Sequence, residues 1–283
     1  MDNFAIVKQA NDDNQVIGLW LHGKSEKTQL AYSNDVKRFL DFVGKPLSAV
    51  TIGDIQAFVD SLSDYAPASK TRMTASVKSL FTYAHKIGYL RYNVSAVINL
   101  PAIKNTLSER ILPEEEIQKM IILTEKTRDK ALLRLLYMGG LRISEACNLK
   151  WRDIQPASNE GAYITVFGKG SKTRSVLIDA KTYALLLALK GNSGPDDPVF
   201  VSQKGHALSV PQAWRIVKKA AKRAKIDAPV SPHWFRHAHA SHALDHGAPI
   251  HLVQSTLGHS SITITSRYLH ARPNDSSAMY LTA

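Results

Sequence analysis

Two short runs, Ala162–Phe167 and Arg174–Ile178, carry the strand-forming character of this chain, and the GKGSK segment between them reads as a hairpin turn. Almost all the remaining regular pattern has helical spacing. A chain of this kind can build only a small antiparallel sheet inside a largely helical protein. The expected fold is therefore mainly α: an N-terminal all-α domain followed by a C-terminal mixed α+β domain with that small sheet.

Helical periodicity is clearest near the start. From Ser25, Leu30, Val36, Phe39, Leu40 and Val43 recur at helical intervals, and Gly44 supplies a stop. Thr51 with Asp54 forms a capping-box pattern, opening a helix through Ile55, Phe58, Val59 and Leu62. A third helix is predicted over Ala68–Ile87, with Met73, Val77, Leu80, Phe81 and Ala84 inward and Gly88 at its end. Periodicity then fades across Tyr92–Arg110 and resumes after Pro113, whose place before Glu114–Glu116 suits a helix N-terminus. Further helices are predicted over Glu114–Leu123 and Arg128–Tyr137, from about Ile143 after the Gly139-Gly140 break, and over 180–190, 210–225, 233–246, 249–256 and 261–269. The domain reading is a flexible N-terminus over 1–16, an all-α domain over 17–102, a linker over 103–109 and a second domain over 110–283.

Charge narrows the choice of partner. The net charge is +12, and it is shared unevenly. Residues 1–107 hold 12 Lys and Arg against 9 Asp and Glu, a net of +3, while 108–283 hold 24 against 15, a net of +9. A basic protein of this kind meets a polyanion, and double-stranded DNA gripped by two cationic lobes fits. The single cysteine, Cys147, excludes an internal disulfide and a multi-cysteine zinc site. No apolar run approaches the roughly 20 residues that span a bilayer, and the acidic, polar start does not read as a secretion signal. The expected location is the cytoplasm.

The segment from Ser231 to His270 concentrates phosphate chemistry. His233 and Arg236 stand three apart, so on a helix they share a face and can meet one tetrahedral phosphate. His259 follows in LGHSS, and Tyr268 in SRYLH. A tyrosine is a weak nucleophile until cations and a base ease phenolate formation, and its attack on a phosphodiester would conserve the bond energy in a phosphotyrosine ester. Arg142 follows the Gly-Gly turn at a helix start, with Glu145 one turn on to hold its guanidinium. Lys169, between two glycines, could reach a leaving 5′ oxygen as general acid. Lys172 and Arg174 suit backbone phosphates, as do Lys70, Arg72 and Lys78 in the third helix. His237, His239, His242 and His246 crowd nearby and read mostly as structural; His242 and His246 are a possible ligand pair, but no carboxylate completes a metal site.

Taken in order, GLRISEA, the basic hairpin GKGSKTR, HWFRH, LGHSS and a tyrosine nine residues beyond that histidine resemble the tyrosine recombinase (phage integrase) family, in spacing its Xer-type members. The resemblance implies that Arg142 and Arg236 clamp the scissile phosphate, that Lys169 protonates the leaving 5′ hydroxyl and that His233 assists proton transfer at the tyrosine. It further implies that His259 bonds the phosphate, that Tyr268 attacks to form a 3′-phosphotyrosyl link and that Glu145 supports the first arginine. It implies no metal or nucleotide cofactor, and a tetramer assembled on DNA. A non-catalytic DNA-binding relative and a type IB topoisomerase-like enzyme are the alternatives. Only 15 residues follow Tyr268, so Ala278, Met279, Tyr280 and Leu281 are expected to form no more than a short apolar plug.

Overall fold

In the computed structural model, residues 9–102, 106–158, 160–168 and 173–269 are described. Lys169, Lys172 and the tail bearing Ala278, Met279, Tyr280 and Leu281 lie outside them. The chain divides into two compact units, Met1–Lys104 and Asn105–Ala283.

The first unit packs helices α1 (Asp13–Leu21), α2 (Glu26–Val43), α3 (Ile52–Ser61) and α4 (Pro67–Lys86) around one core. Helix α1 corrects the expectation of a loose segment up to residue 16. Asp12 caps it by accepting from the Gln15 amide, and Val16 and Trp20 bury themselves against the other helices. Two apolar anchors inside a polar run suffice because tertiary burial stabilises a short helix more than its own propensity does. Helix α2 ends on Gly44 in the left-handed conformation, and the Thr51–Asp54 capping box opens α3. Phe39 sits at the centre, edge-on to Phe58 at 5.1 Å and to Phe81 at 5.9 Å between ring centroids.

Two cations expected on DNA are engaged inside this unit. Arg72 pairs with the buried carboxylate of Asp35. The Lys78 ammonium donates to the carbonyls of Ser95 (2.8 Å), Ala96 (3.2 Å) and Ile98, tying the segment after α4 onto that helix. Lys78 thus spends its donors inside the unit, whereas Arg72 makes its ion pair from a side chain that stays 43% exposed. Lys70 is half-buried.

In the second unit α5 (Glu114–Ile122), α6 (Thr127–Met138) and the short α7 (Ile143–Cys147) precede a sheet of β1 (Ile154–Pro156), β2 (Ala162–Phe167) and β3 (Thr173–Ile178). The sheet is antiparallel with order β1-β2-β3; Ile154 faces Ile164, and Ala162 to Phe167 run against Ile178 to Thr173. Strand β1 escapes sequence reading because it has three residues, one of them proline, and depends on its partner for existence. Helices α8 (Ala180–Leu187), α9 (Val210–Arg223), α10 (Pro232–Asp245), α11 (Ile250–Leu257) and α12 (Ile262–Ser266) follow. The inward sheet residues Ala162, Ile164, Val166, Val176 and Ile178 share one core with Leu132, Leu136 and Phe235. Leu107, placed in the linker by the sequence, packs with Ile111 against a second cluster holding Leu244, Val253, Leu257 and Tyr268.

Candidate active site

The turn between α6 and α7 sets the floor of the site. Gly140 has φ +57, and a Cβ there would stand 2.8 Å from both the His239 ring and Leu257 Cδ2. Only glycine satisfies the backbone and the packing together. Arg142 caps α7 immediately afterwards, and its side chain is 40% exposed.

Glu145 is the hinge of the charge arrangement. Oε1 accepts from Arg142 Nη1 at 2.8 Å and Arg174 Nη1 at 3.0 Å; Oε2 accepts from the Arg142 amide at 2.8 Å and Arg174 Nη2 at 2.7 Å. Burial pushes this carboxyl's pKa up, but the bonds from Arg174 and Arg142 outweigh it and bring the pKa down to about 2. Arg174 also donates Nε to the Thr256 carbonyl at 2.7 Å, and its side chain is only 10% exposed. Its expected task on backbone phosphates is therefore corrected: it is turned inward to hold Glu145. The strand alternation carried that signal, since Arg174 lies on the same face of β3 as the buried Val176 and Ile178. Gly258, at φ +65, makes room for it, because a Cβ would be 3.0 Å from Arg174 Cδ.

Helix α10 presents His233, Arg236 and His237 from one face. Arg236 is 5% exposed and donates Nη1 to the Gly140 carbonyl at 2.6 Å and Nη2 to the Leu257 carbonyl. Those bonds fix the guanidinium plane between the α6–α7 turn and the end of α11. Desolvation first, then Arg142, lowers its pKa to about 10, so it stays charged near neutrality.

Tyr268 follows α12 and is 5% exposed. His259 lies parallel to it, with ring centroids 6.3 Å apart and planes 4° apart, and pairs through Nδ1 with the Thr265 hydroxyl at 2.9 Å. The imidazole within hydrogen-bond distance of the phenol is not His233, the residue expected to serve it. It is His237, whose Nδ1 is 2.8 Å from Tyr268 Oη. His233 is exposed, its ring 6.4 Å from that of His237. Spacing alone does not separate the two histidines, which stand four apart on one face; the docking of α12 decides. Burial raises the Tyr268 pKa, with Arg236 and Arg267 pulling the other way. Burial first, and then the neighbouring cations, lowers His237 and His259 to about 4.

The other crowded histidines are braces. His239 Nδ1 meets the Tyr137 carbonyl at 2.7 Å, and His242 Nδ1 pairs with the Tyr137 hydroxyl at 2.9 Å. Among the described residues no group of three or more His, Cys, Asp or Glu is arranged to hold a metal. Nor is any described helix long and apolar enough to cross a membrane.

The structure thus brings Arg142, Glu145, Arg236, His259 and Tyr268 together, with His233 at the edge and Lys169 outside the described residues. A buried phenol beside neutral imidazoles and fixed guanidiniums can attack a phosphodiester. Residues 110–275 match the phage integrase family, and residues 18–89 match the N-terminal SAM-like domain of phage integrases. The chain belongs to the phage integrase family. It is a tyrosine recombinase. It is 34% identical over 261 residues to a tyrosine recombinase of Thermosipho africanus, covering 87% of this chain and 89% of that one. It is 32% identical over 272 residues to the tyrosine recombinase XerD of Haemophilus influenzae, covering 89% and 90%. A crystal structure of a lambda integrase tetramer bound to a Holliday junction superposes with a TM-score of 0.72 at 20% identity, over 91% of this chain and 80% of that one, a likeness of fold.

Proposed function

We propose that this protein is a cytoplasmic site-specific recombinase that cuts and rejoins double-stranded DNA through a 3′-phosphotyrosyl intermediate and a Holliday junction, working as a tetramer. The observation that carries the reading is the burial of Tyr268 with its hydroxyl on an imidazole, beside the fixed guanidinium of Arg236. Arg142, exposed at its tip and braced by Glu145, takes the non-bridging oxygens of the scissile phosphate together with the edge of Arg236. His259, held by Thr265, bonds the same phosphate, and Lys169 protonates the leaving 5′ oxygen. Exposed His233 borders the phosphate. The phosphotyrosyl ester stores the energy of the broken bond, so religation needs no nucleotide.

The test is a duplex carrying the sequence that the protein protects from nuclease, nicked beside the cleavage point so that religation is lost. The wild-type protein is expected to form a covalent adduct on a denaturing gel and Tyr268→Phe none. Equal adduct from both would remove the catalytic reading; relaxation of supercoils at any sequence would point to a topoisomerase-like activity instead.

A further inference from the structure

The phenol of Tyr268 has to lose a proton before or during attack, and burial makes that loss harder than in water. A base must therefore already be in contact with Oη. Among the described residues the imidazole at that position is His237, at 2.8 Å from Nδ1, inside the range for direct proton transfer. The two rings lie 5.8 Å apart at a tilt of 42°, and with the ring proton on Nε2 the hydroxyl donates to Nδ1 across the 2.8 Å contact.

We propose that His237 is the general base of the recombinase, taking the phenol proton at Nδ1 as Tyr268 attacks and returning it during religation. The proposal rests on the strand-transfer reading above. In the step, the Oη–H bond breaks and its proton passes to Nδ1. The Oη–P bond forms, the P–O5′ bond breaks, and O5′ takes a proton from the Lys169 ammonium assigned above. In religation the 5′ hydroxyl returns its proton to the Lys169 amine as the O5′–P bond forms, the Oη–P bond breaks, and the imidazolium of His237 protonates the departing phenolate.

The surroundings of His237 explain how so weak a base becomes adequate. It is ringed by cationic or cationisable groups from each side: His233 and Arg236 on its own helix, Arg110 from the 3₁₀ turn Ser108–Arg110, Arg267 beside the nucleophile, and His259 across Tyr268. Burial first, and then these groups, keep the free imidazole neutral, so it is ready to accept. A scissile phosphate bound by Arg142 and Arg236 places negative charge in the same ring and raises the basicity of His237. The base thus strengthens when DNA is bound, and the unloaded phenol stays protonated and inert.

His237→Asn is the informative variant, because its amide oxygen sits where Nδ1 was and can accept a hydrogen bond but not a proton. With the nicked duplex described above, adduct formation near pH 7 is expected to fall by about 10²-fold or more, within the range for loss of a general base. Without the base, rate follows the phenolate fraction, so the deficit should shrink by about tenfold per pH unit as pH rises. With sulfur in place of the 5′ bridging oxygen, the leaving group needs no acid. The His237→Asn deficit should persist on that duplex, while that of Lys169→Ala should be relieved. Wild-type rates from His237→Asn, a deficit independent of pH, or recovery on the sulfur substrate would each overturn the proposal. Should the variant fail to melt cooperatively, ¹⁵N spectra of histidine in the wild-type protein decide: a neutral ring protonated at Nδ1 overturns it, and one protonated at Nε2 supports it. Wild-type protein that makes no Tyr268-dependent adduct overturns the recombinase reading itself; adduct formed equally by wild type and His237→Asn overturns only the role of His237.

Discussion

Arg174 grips Glu145 through both terminal nitrogens, at 3.0 and 2.7 Å, with the two side chains 10% and 7% exposed. The pair lies behind Arg142, and the same carboxylate holds that arginine's amide and guanidinium. Removing Arg174 takes away two of the four bonds to the buried carboxylate while Arg142 keeps the other two, so the cost falls at the lower end of the range for breaking a buried pair, about 3 kcal/mol. Arg174→Ala is therefore expected to lower the melting temperature of the catalytic unit by about 6–12 °C at about 2–4 °C per kcal/mol. Scanning calorimetry checks it, and a shift under about 2 °C would mean that solvent already screens the pair.

The same carboxylate sets an acid limit. Its folded pKa, about 2, lies below its unfolded value, so its stabilisation is complete above the unfolded value and is lost as pH falls through the folded one. The difference in unfolding free energy between the wild-type protein and Glu145→Gln should then be constant from about pH 7 to 5 and narrow between about pH 4.5 and 2. Urea titrations at several pH values measure it; a gap that closes already at about pH 6 would exclude Glu145 as the cause.

Gly140 and Gly205 both have positive φ, +57 and +80, but differ in surroundings. A Cβ on Gly205 meets nothing within 4 Å, whereas on Gly140 it meets His239 and Leu257 at 2.8 Å. Gly205→Ala should cost about 1 kcal/mol from the backbone alone. Gly140→Ala should add about 1–3 kcal/mol of overpacking. It should also slow adduct formation, because the Gly140 carbonyl anchors Arg236. Equal costs at the two sites would show that the floor of the site yields readily.

The helices of both units and the hairpin strands are legible in local pattern, as are the Gly-Gly turn and the carboxylate one turn beyond Arg142. Three features are not, and for one reason: each depends on contact between distant segments. Helix α1 exists because Val16 and Trp20 find a core built from later residues. Strand β1 exists because β2 pairs with it. His237 outranks His233 at the phenol because α12 delivers Tyr268 to one ring and not to the other four residues away. Arg174 differs from these, since period-two alternation already put it inward; its basic neighbourhood favoured a phosphate contact all the same.

Thr265 is fully buried and its hydroxyl holds His259 Nδ1 at 2.9 Å, while its carbonyl accepts from the Tyr268 amide at 3.0 Å. Among the described residues the hydroxyl is thus the one side-chain hydrogen bond that sets the angle of the His259 ring against Tyr268. Thr265→Val keeps the shape and removes the bond. It should cost about 1 kcal/mol of stability, in the range for a single hydrogen bond. The effect on the reaction should be larger than that stability loss suggests, because a ring free to rotate no longer presents a fixed donor to the phosphate. Adduct formation should slow by about 10-fold, short of the roughly 10²–10³-fold expected for His259→Ala, which removes the donor itself. The two variants compared on one nicked duplex settle the point: equal rates for Thr265→Val and wild type would mean that stacking on Tyr268, and not the threonine, orients His259.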